Sequence, residues 1–274
     1  MPTSHLLAEH YQRSLRADEV LARIYSHYPD GPKLHQLAPL DQLHIGGISA
    51  SARLLNLLDV AEHSLVLDIG SGLGGLMRQG SALGFHMVGL DITHRFNILN
   101  KALSEIAVHQ NGAAQRWVTG NAGALPFAAN SFDAVLFQHS LMNMPDPAQV
   151  IAECHRVLRP GGKLVMHEVI SGGQSANLRF PVPWADTPEH SHLLDIAMLL
   201  QLLKEGGLQL LHCEDWTSTA LEWRQRQGQK EQATAKAVLS PQWVFGERFV
   251  EMSNNLLENL SNDAINVVEI SACC

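Results

Sequence analysis

Three glycines, Gly70, Gly72 and Gly75, have the spacing G-x-G-x-x-G directly after a short apolar run. Glycine has no Cβ atom, so the backbone of such a turn can approach a ligand closely. Asp91 follows about 20 residues later, where a carboxylate can accept hydrogen bonds from both hydroxyls of a ribose. The spacing therefore indicates a site for a ligand that contains adenosine, although a purely structural turn can have the same spacing.

Asp68, two residues before the first glycine, narrows the choice of ligand. A dinucleotide would place its pyrophosphate at this turn, and like unit charges ~6 Å apart cost roughly 3 kcal/mol at an effective dielectric constant of about 20. S-adenosylmethionine instead carries a positively charged ammonium and sulfonium, which a carboxylate can compensate. The sequence favours S-adenosylmethionine over the nicotinamide dinucleotide that an oxidoreductase would use.

Alternating strands and helices are predicted around this motif. The predicted strands are 65–69, 86–91, 115–120, 132–138, 163–169, 208–215 and 264–271. The predicted helices are 4–28, a segment through Ile48 and Leu58, 75–83, 94–109, 147–158, about 192–205, and most of 217–261, with a loop at 33–47. We therefore predict an α/β fold, a Rossmann-like, seven-stranded, mostly parallel sheet with helices on both faces, a helical N-terminal cap and lid insertions. Residues 1–274 are expected to form one domain, divided into a cap (1–60), a cofactor-binding core (61–170) and lid insertions with the remaining strands (171–274).

The overall composition excludes several classes of partner. A formal net charge of −8 provides no basic face for nucleic acid or an anionic membrane. No apolar run approaches the length that spans a bilayer, and the N-terminal residues do not have the pattern of a signal peptide. The four cysteines lack the spacing of a metal site, and His190 and His192 have no third ligand nearby. We expect a cytoplasmic protein without a metal, present as a monomer or homodimer.

Four segments resemble class I S-adenosylmethionine-dependent methyltransferases and cover residues 65–170 in the order of that family. They are VLDIGSGLGG, VGLD, GNAGALPFAANSFDAVLFQHSLMNMPD and ECHRVLRPGGKLVMHEV. The family has a Gly-Asp-Ala triplet whose aspartate accepts from the adenine amino group, whereas here the triplet contains Asn121, whose amide oxygen can still accept. The resemblance implies that S-adenosylmethionine is bound by Asp68, Gly70, Ser71, Gly72, Asp91, Ile92, Asn121, Ala122, Gln138, Gln42 and Gly46.

Outer segments resemble a narrower group, the small-molecule N-methyltransferases of the sarcosine/dimethylglycine type. These segments are LDQLHIGGISAS, RFPVPWA, SHLL and EDWTSTALEW. The resemblance implies a small polar amine or amino-acid derivative as methyl acceptor. The residues expected to bind it are Tyr25, His44, Arg179 and Trp184, with the arginine on a carboxylate and an aromatic face near the cation.

Other functions stay open at this point. Carbon, oxygen or sulfur methylation of a natural product or apolar molecule fits the same framework, and apolar residues near the predicted cavity mouth suit a less polar acceptor. A hydroxyl or carbon acid usually requires a base, for which His139 and His167 are the candidates because they lie at the ends of neighbouring strands. A NAD-dependent oxidoreductase and a binding protein without catalysis are the alternatives from other classes.

Overall fold

The computed structural model describes residues 15–108, 112–233 and 238–274. The strands are β1 (Leu65–Ile69), β2 (His86–Asp91), β3 (Gln115–Thr119), β4 (Phe132–Gln138), β5 (Leu158–Ser171), β6 (Gln209–Asp215) and β7 (Ile265–Cys273). The helices are α1 (Ala17–His27), α2 (Leu34–Asp41), α3 (Gly47–Asn56), α4 (Gly75–Ala82), α5 (His94–Ile106), α6 (Pro147–Val157), α7 (Ile196–Glu205), α8 (Thr217–Ala233), α9 (Gln242–Phe245) and α10 (Phe249–Ser261).

The strands form one sheet in the order β3-β2-β1-β4-β5-β7-β6. Neighbouring strands are parallel, except that β7 runs antiparallel to both β5 and β6. The predicted Rossmann-like, seven-stranded, mostly parallel fold is therefore confirmed. Strands β2 and β3 follow on one side of β1, and β4 then lies on the other side of β1. Ligands bind at such a reversal of strand order, beyond the carboxyl ends of the strands.

Hydrophobic residues on both faces of the central strands hold the sheet in place. In β4, Val135 and Phe137 belong to the core on one face, while Ala134 and Leu136 belong to the core on the other. Successive side chains of a strand point to opposite faces, so a continuous apolar run such as that of β4 is what a strand covered on both sides needs. Because these strands are anchored in the core, the loops that leave β1 and β4 start from fixed positions at the carboxyl edge of the sheet.

Several predicted boundaries are wrong. The predicted loop at 33–47 contains α2, which buries Leu37 and Leu40 although Pro39 lies inside it. Proline removes a backbone donor and usually ends a helix, so the sequence pattern does not predict α2. Strand β5 already pairs with β4 at Leu158, before the predicted start, and the pairing then shifts around the glycine turn at 159–162.

The remaining differences concern helices. Helix α7 starts at Ile196 because Asp195 accepts from the Met198 N–H and caps it. The stretch predicted as helical over 217–261 is divided into α8, α9 and α10. The predicted first helix is described from Ala17 onward, and its earlier part lies outside the described residues. In the described part of the chain, no helix is both long and apolar enough to cross a membrane.

Candidate functional site

A cavity of about 520 Å³ lies at the carboxyl ends of the strands, where the strand order reverses. This volume is in the range of small-molecule sites, roughly 300–1,000 Å³. Its walls come from the loop after β1, the ends of β2, β3 and β4, the segment after α2, and residues from the insertions after β5 and β6. The topology thus brings together residues from across the chain.

The loop after β1 forms one wall of the cavity. The backbone of Gly70 is left-handed, with φ of 76°, and a Cβ atom there would lie 2.4 Å from Ser140 Cβ. A Cβ on Gly75 would lie 2.5 Å from Gln42 Nε2, so this glycine allows the residues after α2 to pack against α4. The glycine spacing therefore serves both the close turn and the packing of the cap.

Asp68 lies at the end of β1, is 2% exposed and lines the cavity. Its Oδ2 atom is buried without a hydrogen-bond partner among the described residues. Burial, and to a lesser degree the nearby charge of Asp91, raises the pKa of this carboxyl to about 7. A buried carboxyl without a partner fits a ligand that brings positive charge.

Asp91 ends β2 and ties the glycine loop to the sheet. Its Oδ2 atom accepts from the Gly72 N–H at 2.9 Å, and its Oδ1 atom accepts from the Thr93 N–H at 2.7 Å. Burial raises its pKa, and these two hydrogen bonds offset part of the rise. Each carboxylate oxygen can accept a second hydrogen bond, so the position remains compatible with the predicted ribose contact.

The predicted adenine contacts lie on the same side of the cavity. Ile92, Asn121 and Ala122 all line it, as does Ser71. The Asn121 Oδ1 atom accepts from the Gly123 N–H at 2.8 Å, which orients the amide. Asn121 can offer its remaining lone pair to a ligand, and its role in adenine binding remains a prediction.

Three histidines cluster at the inner end of the cavity. The rings of His139 and His167 stack with centroids 4.9 Å apart, and the ring of His44 lies 5.9 Å from that of His139. Burial lowers the pKa of His139 well below 6.5, that of His44 to about 4 and that of His167 to about 3. All three imidazoles are therefore neutral near pH 7.

The two predicted catalytic histidines occupy different positions. His139 lines the cavity, whereas His167 is 1% exposed and does not line it. The ring of His167 packs between His139 and Trp216, whose ring lies 4.9 Å away and perpendicular to it. His139 is thus the one of the two that can reach a substrate, and the structure does not bring His167 into the cavity.

A polar network behind the cavity joins the cap to β4. The Ser51 Oγ atom lies 2.6 Å from Gln42 Oε1, 3.0 Å from Gln138 Oε1 and 3.1 Å from His44 Nε2. Gln138 and His44 line the cavity, whereas Gln42, predicted to bind the cofactor, does not. Ser51 is fully buried; it ends the segment LDQLHIGGISAS but was not among the predicted site residues.

Gly46, predicted to bind the cofactor, has a packing role instead. It precedes α3 with φ of 89°, and it is not among the residues that line the cavity. A Cβ atom there would lie 2.5 Å from Ala50 Cβ and 2.7 Å from the ring of Trp216. The prediction is corrected: glycine is needed here for close contact inside the cap.

The other side of the cavity is largely apolar. The segment after α2, the loop after β4 and the insertions after β5 and β6 contribute apolar Ile45, Met142, Met144, Pro183, Trp184, Phe245 and Leu256, with polar Asn143, Asp146, His190 and His192. Trp184 is 3% exposed, and its Nε1 atom donates to Ser191 Oγ at 2.9 Å. The indole N–H therefore already has a hydrogen-bond acceptor within the protein.

Two predicted substrate residues do not reach the cavity. The Arg179 side chain is 61% exposed and forms an ion pair with Glu258 at 2.9 Å. Its backbone N–H and carbonyl both bond to the side chain of Asn259, which holds the segment against α10. Tyr25 is 56% exposed on α1 and is also absent from the cavity lining. The predicted contacts of both residues with a substrate are corrected.

One cavity residue was missed because α2 was predicted as a loop. Asp41, the last residue of α2, lines the cavity and accepts from Arg78 Nη2 at 2.7 Å. Both side chains of this ion pair are almost completely buried. The pair fixes the end of α2 against α4, and the segment that follows it carries His44.

A possible metal-ligand group lies elsewhere, on the sheet. The side chains of His212, Glu214 and Glu269 approach one another there. Arg53 donates to both carboxylates, through Nε to Glu269 and through Nη2 to Glu214. The guanidinium already provides the positive charge that these carboxylates require.

Comparison with known proteins identifies the central segment. Residues 67–166 match the family model described as a methyltransferase domain. This segment is therefore similar to methyltransferase domains. The matched segment includes Asp68, the glycine loop, Asp91, Asn121 and His139.

Curated relatives align over a similar region. Demethylmenaquinone methyltransferase of Renibacterium salmoninarum is 36% identical over 38% of this chain and 40% of that protein. The ubiquinone/menaquinone biosynthesis C-methyltransferase UbiE of Hahella chejuensis is 39% identical over 38% and 42% of the two chains. Methyltransferase GfsG of Streptomyces halstedii is 31% identical over 58% and 56%. The chain spans less than half of the first two relatives.

Solved structures share the fold over a larger part of the chain. A geranyl diphosphate methyltransferase solved with GPP and sinefungin has a TM-score of 0.70 at 15% identity, covering 100% of this chain and 99% of that one. A putative sarcosine dimethylglycine methyltransferase from Galdieria sulphuraria has a TM-score of 0.64 at 17% identity, covering 94% and 97%. At these identities the likeness concerns the fold alone, and the narrower resemblance to the sarcosine/dimethylglycine group is not confirmed.

Proposed function

We propose that the protein transfers the methyl group of S-adenosylmethionine to a carbon or oxygen atom of a small, largely apolar molecule. The observation that carries this proposal is the contrast within one cavity. Asp68, Asp91 and the glycine loop line one part of the cavity. The loop after β4 and the insertions after β5 and β6 contribute mainly apolar side chains, beside the neutral imidazoles of His44 and His139. No lysine or arginine is among the described residues that line the cavity.

The absence of a cationic side chain from this lining argues against an amino-acid acceptor. The carboxylate of glycine, sarcosine or dimethylglycine would enter the cavity without a positively charged partner, and burying an unpaired charge is costly. A phosphate group on the acceptor meets the same difficulty. The proposal therefore replaces the polar amine expected from the outer segments with the apolar alternative.

The cofactor side of the cavity fits S-adenosylmethionine, which supplies a methyl group already activated on a sulfonium. In this proposal Asp68 compensates the positive charge of the methionine part, and its buried Oδ2 atom without a described partner supports that role. Asp91 accepts from the ribose hydroxyls, and Asn121 accepts from adenine. Gln138, at the end of β4, lines the cavity, and in this proposal it contacts the methionine part.

His139 is the base in this proposal. The acceptor gains a methyl group at carbon or oxygen and loses a proton, which the His139 imidazole takes up, and S-adenosylhomocysteine leaves. The low pKa of His139 keeps the ring unprotonated near pH 7, although it also makes the ring a weak base. The proton that leaves must therefore be acidic, as in a phenol, an enol, a carbon between two carbonyl groups, or the carbocation that methylation of an isoprenoid double bond produces.

The names of the curated relatives support an apolar acceptor. They include C-methyltransferases of ubiquinone/menaquinone biosynthesis and a sterol 24-C-methyltransferase from Gibberella zeae, which is 29% identical over 56% of this chain and 42% of that protein. These names describe the relatives, and they support the class of acceptor without identifying it.

An acceptor panel tests the proposal. The protein is incubated with methyl-labelled S-adenosylmethionine and either phenols, isoprenoids and apolar acids or glycine, sarcosine, dimethylglycine and ethanolamine. We expect label only in apolar products and a large loss of label with His139→Gln. Methylation confined to the polar amines would overturn the acceptor class. Cofactor binding with no labelled product from either set would favour a binding protein without catalysis.

A further inference from the structure

The side chain of Glu168 lies directly behind the His139 loop. It projects from β5, is 1% exposed and does not line the cavity. Its Oε1 atom accepts from the Ser140 N–H at 2.9 Å and from the Leu141 N–H at 3.2 Å. These two residues immediately follow His139, so one carboxyl oxygen holds the backbone just after the proposed base.

His139 has an unusual backbone conformation. Its φ is +52°, in the left-handed region that residues other than glycine seldom adopt. Its N–H donates to the His167 carbonyl at 2.9 Å, and the next residue, Ser140, donates its hydroxyl to the Ile69 carbonyl at 2.7 Å. The two N–H groups bound by Glu168 complete the attachment of this turn on the side away from the cavity.

Loss of the Glu168 oxygen would leave two buried donors unsatisfied. Ser140 and Leu141 are 5% and 4% exposed, so water does not readily replace the carboxyl. Buried backbone N–H groups are nearly always paired, and the chain would have to move to restore their hydrogen bonds. Such a movement would release His139 from its left-handed conformation.

The chemistry of this buried side chain is closer to that of an amide than to that of a free carboxylate. Burial raises the pKa of Glu168 to about 8, although the two backbone hydrogen bonds lower it somewhat. The side chain is therefore mainly protonated near pH 7 while Oε1 remains an acceptor. Glutamine offers the same acceptor at almost the same volume.

We propose that Glu168 is a positioning residue that holds the His139 imidazole at the cavity by binding the two N–H groups that follow it. The claim about position depends only on these contacts. Its consequence for methyl transfer rests on the proposed function, in which His139 accepts the proton of the acceptor.

Nuclear magnetic resonance of ¹⁵N-histidine-labelled protein tests the position without an acceptor. The His139 ring signals, assigned by comparison with His139→Gln, are followed from about pH 5.5 to 8 in the parent, Glu168→Gln, Glu168→Leu and Asp133→Asn. Asp133 is the matched control because its Oδ2 atom also accepts from a backbone N–H, that of Leu65 at 2.8 Å, but at the opposite end of β4.

We expect no protonation of His139 over this range in the parent, Glu168→Gln or Asp133→Asn. In Glu168→Leu the ring should move towards solvent, and its pKa should rise into the measured range as the cost of burying its charge falls. Should Glu168→Leu fail to fold, Glu168→Asp replaces it, since the shorter side chain withdraws the acceptor. A folded variant of either kind whose His139 signals match those of the parent would overturn the proposal.

The activity measurement separates this inference from the proposed function. With an acceptor found in the panel, Glu168→Leu should lower kcat about tenfold or more with little change in KM, and Glu168→Gln should restore kcat to within about threefold of the parent. Equal kcat values in Glu168→Leu and the parent would contradict the effect on catalysis. If the parent methylates nothing, the proposed function fails, while the His139 signals still decide the positioning role.

Discussion

The two sides of the cavity are built from the sequence in different ways. On the cofactor side, Asp68, the glycine loop and Asp91 come from one segment of about 25 residues that covers β1, α4 and β2. On the acceptor side, His44, His139, Trp184, Phe245 and Leu256 come from five separate parts of the chain. A short segment with fixed chemistry serves a cofactor of constant shape, whereas a wall assembled from distant segments can change with the acceptor.

Burial disfavours the charged form of the titratable groups on both sides, so it shifts carboxyl and imidazole pKa values in opposite directions. It raises the pKa of Asp68 and Asp91, and a ligand that brings positive charge would stabilise their ionised forms. It lowers the pKa of His44 and His139, so these rings stay neutral. The comparison predicts that variants on one side affect cofactor affinity, while variants on the other side affect turnover.

The largest effect is expected for His139→Gln. Loss of a general base typically costs about 10²–10⁴ in rate, so kcat should fall by this factor while the Kd for S-adenosylhomocysteine stays within about threefold. Steady-state kinetics with an acceptor from the panel, together with calorimetry, measures both, and the exposed His27→Gln serves as control. Unchanged turnover would remove His139 from the chemistry.

The next effect is the pH dependence of cofactor affinity. The Asp68 pKa of about 7 lies above its usual value of 3.8, so the carboxyl becomes protonated as the pH falls through 7 and no longer compensates a cation. The Kd for S-adenosylmethionine should be about 50- to 100-fold higher at pH 5 than at pH 8, because affinity scales with the ionised fraction. Calorimetry should show this slope in the parent and in Asp133→Asn but not in Asp68→Asn. If Asp68→Asn keeps the same pH dependence of Kd, another titrating group is responsible for it.

A smaller effect is expected at the ribose position. Asp91→Ala removes a charge-assisted contact worth roughly 1.5–3 kcal/mol, which corresponds to at least about a tenfold increase in Kd for S-adenosylhomocysteine. The same change also removes the acceptor for the Gly72 and Thr93 N–H groups, so the melting temperature is measured alongside. Asp91→Asn, which keeps one acceptor oxygen, should recover part of the affinity. Parent-like binding by Asp91→Ala would disprove the ribose contact.

The smallest effect is expected at Arg179. Its side chain is paired with Glu258 outside the cavity, so Arg179→Ala should change neither kcat nor KM by more than about twofold. Kinetics with the apolar acceptor checks this, and Trp184→Ala, which alters the cavity wall, provides the contrast. A large rise in KM for Arg179→Ala alone would restore the prediction that this arginine contacts the acceptor.

The difference between the two sides of the cavity also explains which features could be predicted from the sequence. Strands β1, β2 and β4 have the predicted bounds because continuous apolar runs mark buried parallel strands, and the glycine spacing marks the turn after β1. Asp68, Asp91 and Asn121 follow from their distances to those strand ends. The cofactor side is thus a local property of the chain.

The acceptor side depends on long-range packing, which local patterns do not record. Arg179 was expected in the cavity because it follows β5, yet Asn259 on α10 holds its backbone outside. Ser51 and Asp41 acquire their roles only when α2 and α3 pack against α4 and β4, and the proline inside α2 hid that helix. That no lysine or arginine lines the cavity, within the described part of the chain, also becomes visible only after folding.

Calorimetric titration of the parent protein with S-adenosylmethionine, S-adenosylhomocysteine and NAD tests the central claim most directly. The carboxylates beside the glycine loop predict binding of both sulfur ligands. They also predict no measurable binding of NAD, whose pyrophosphate would be repelled by Asp68. Tight binding of NAD with no binding of either sulfur ligand would contradict the account.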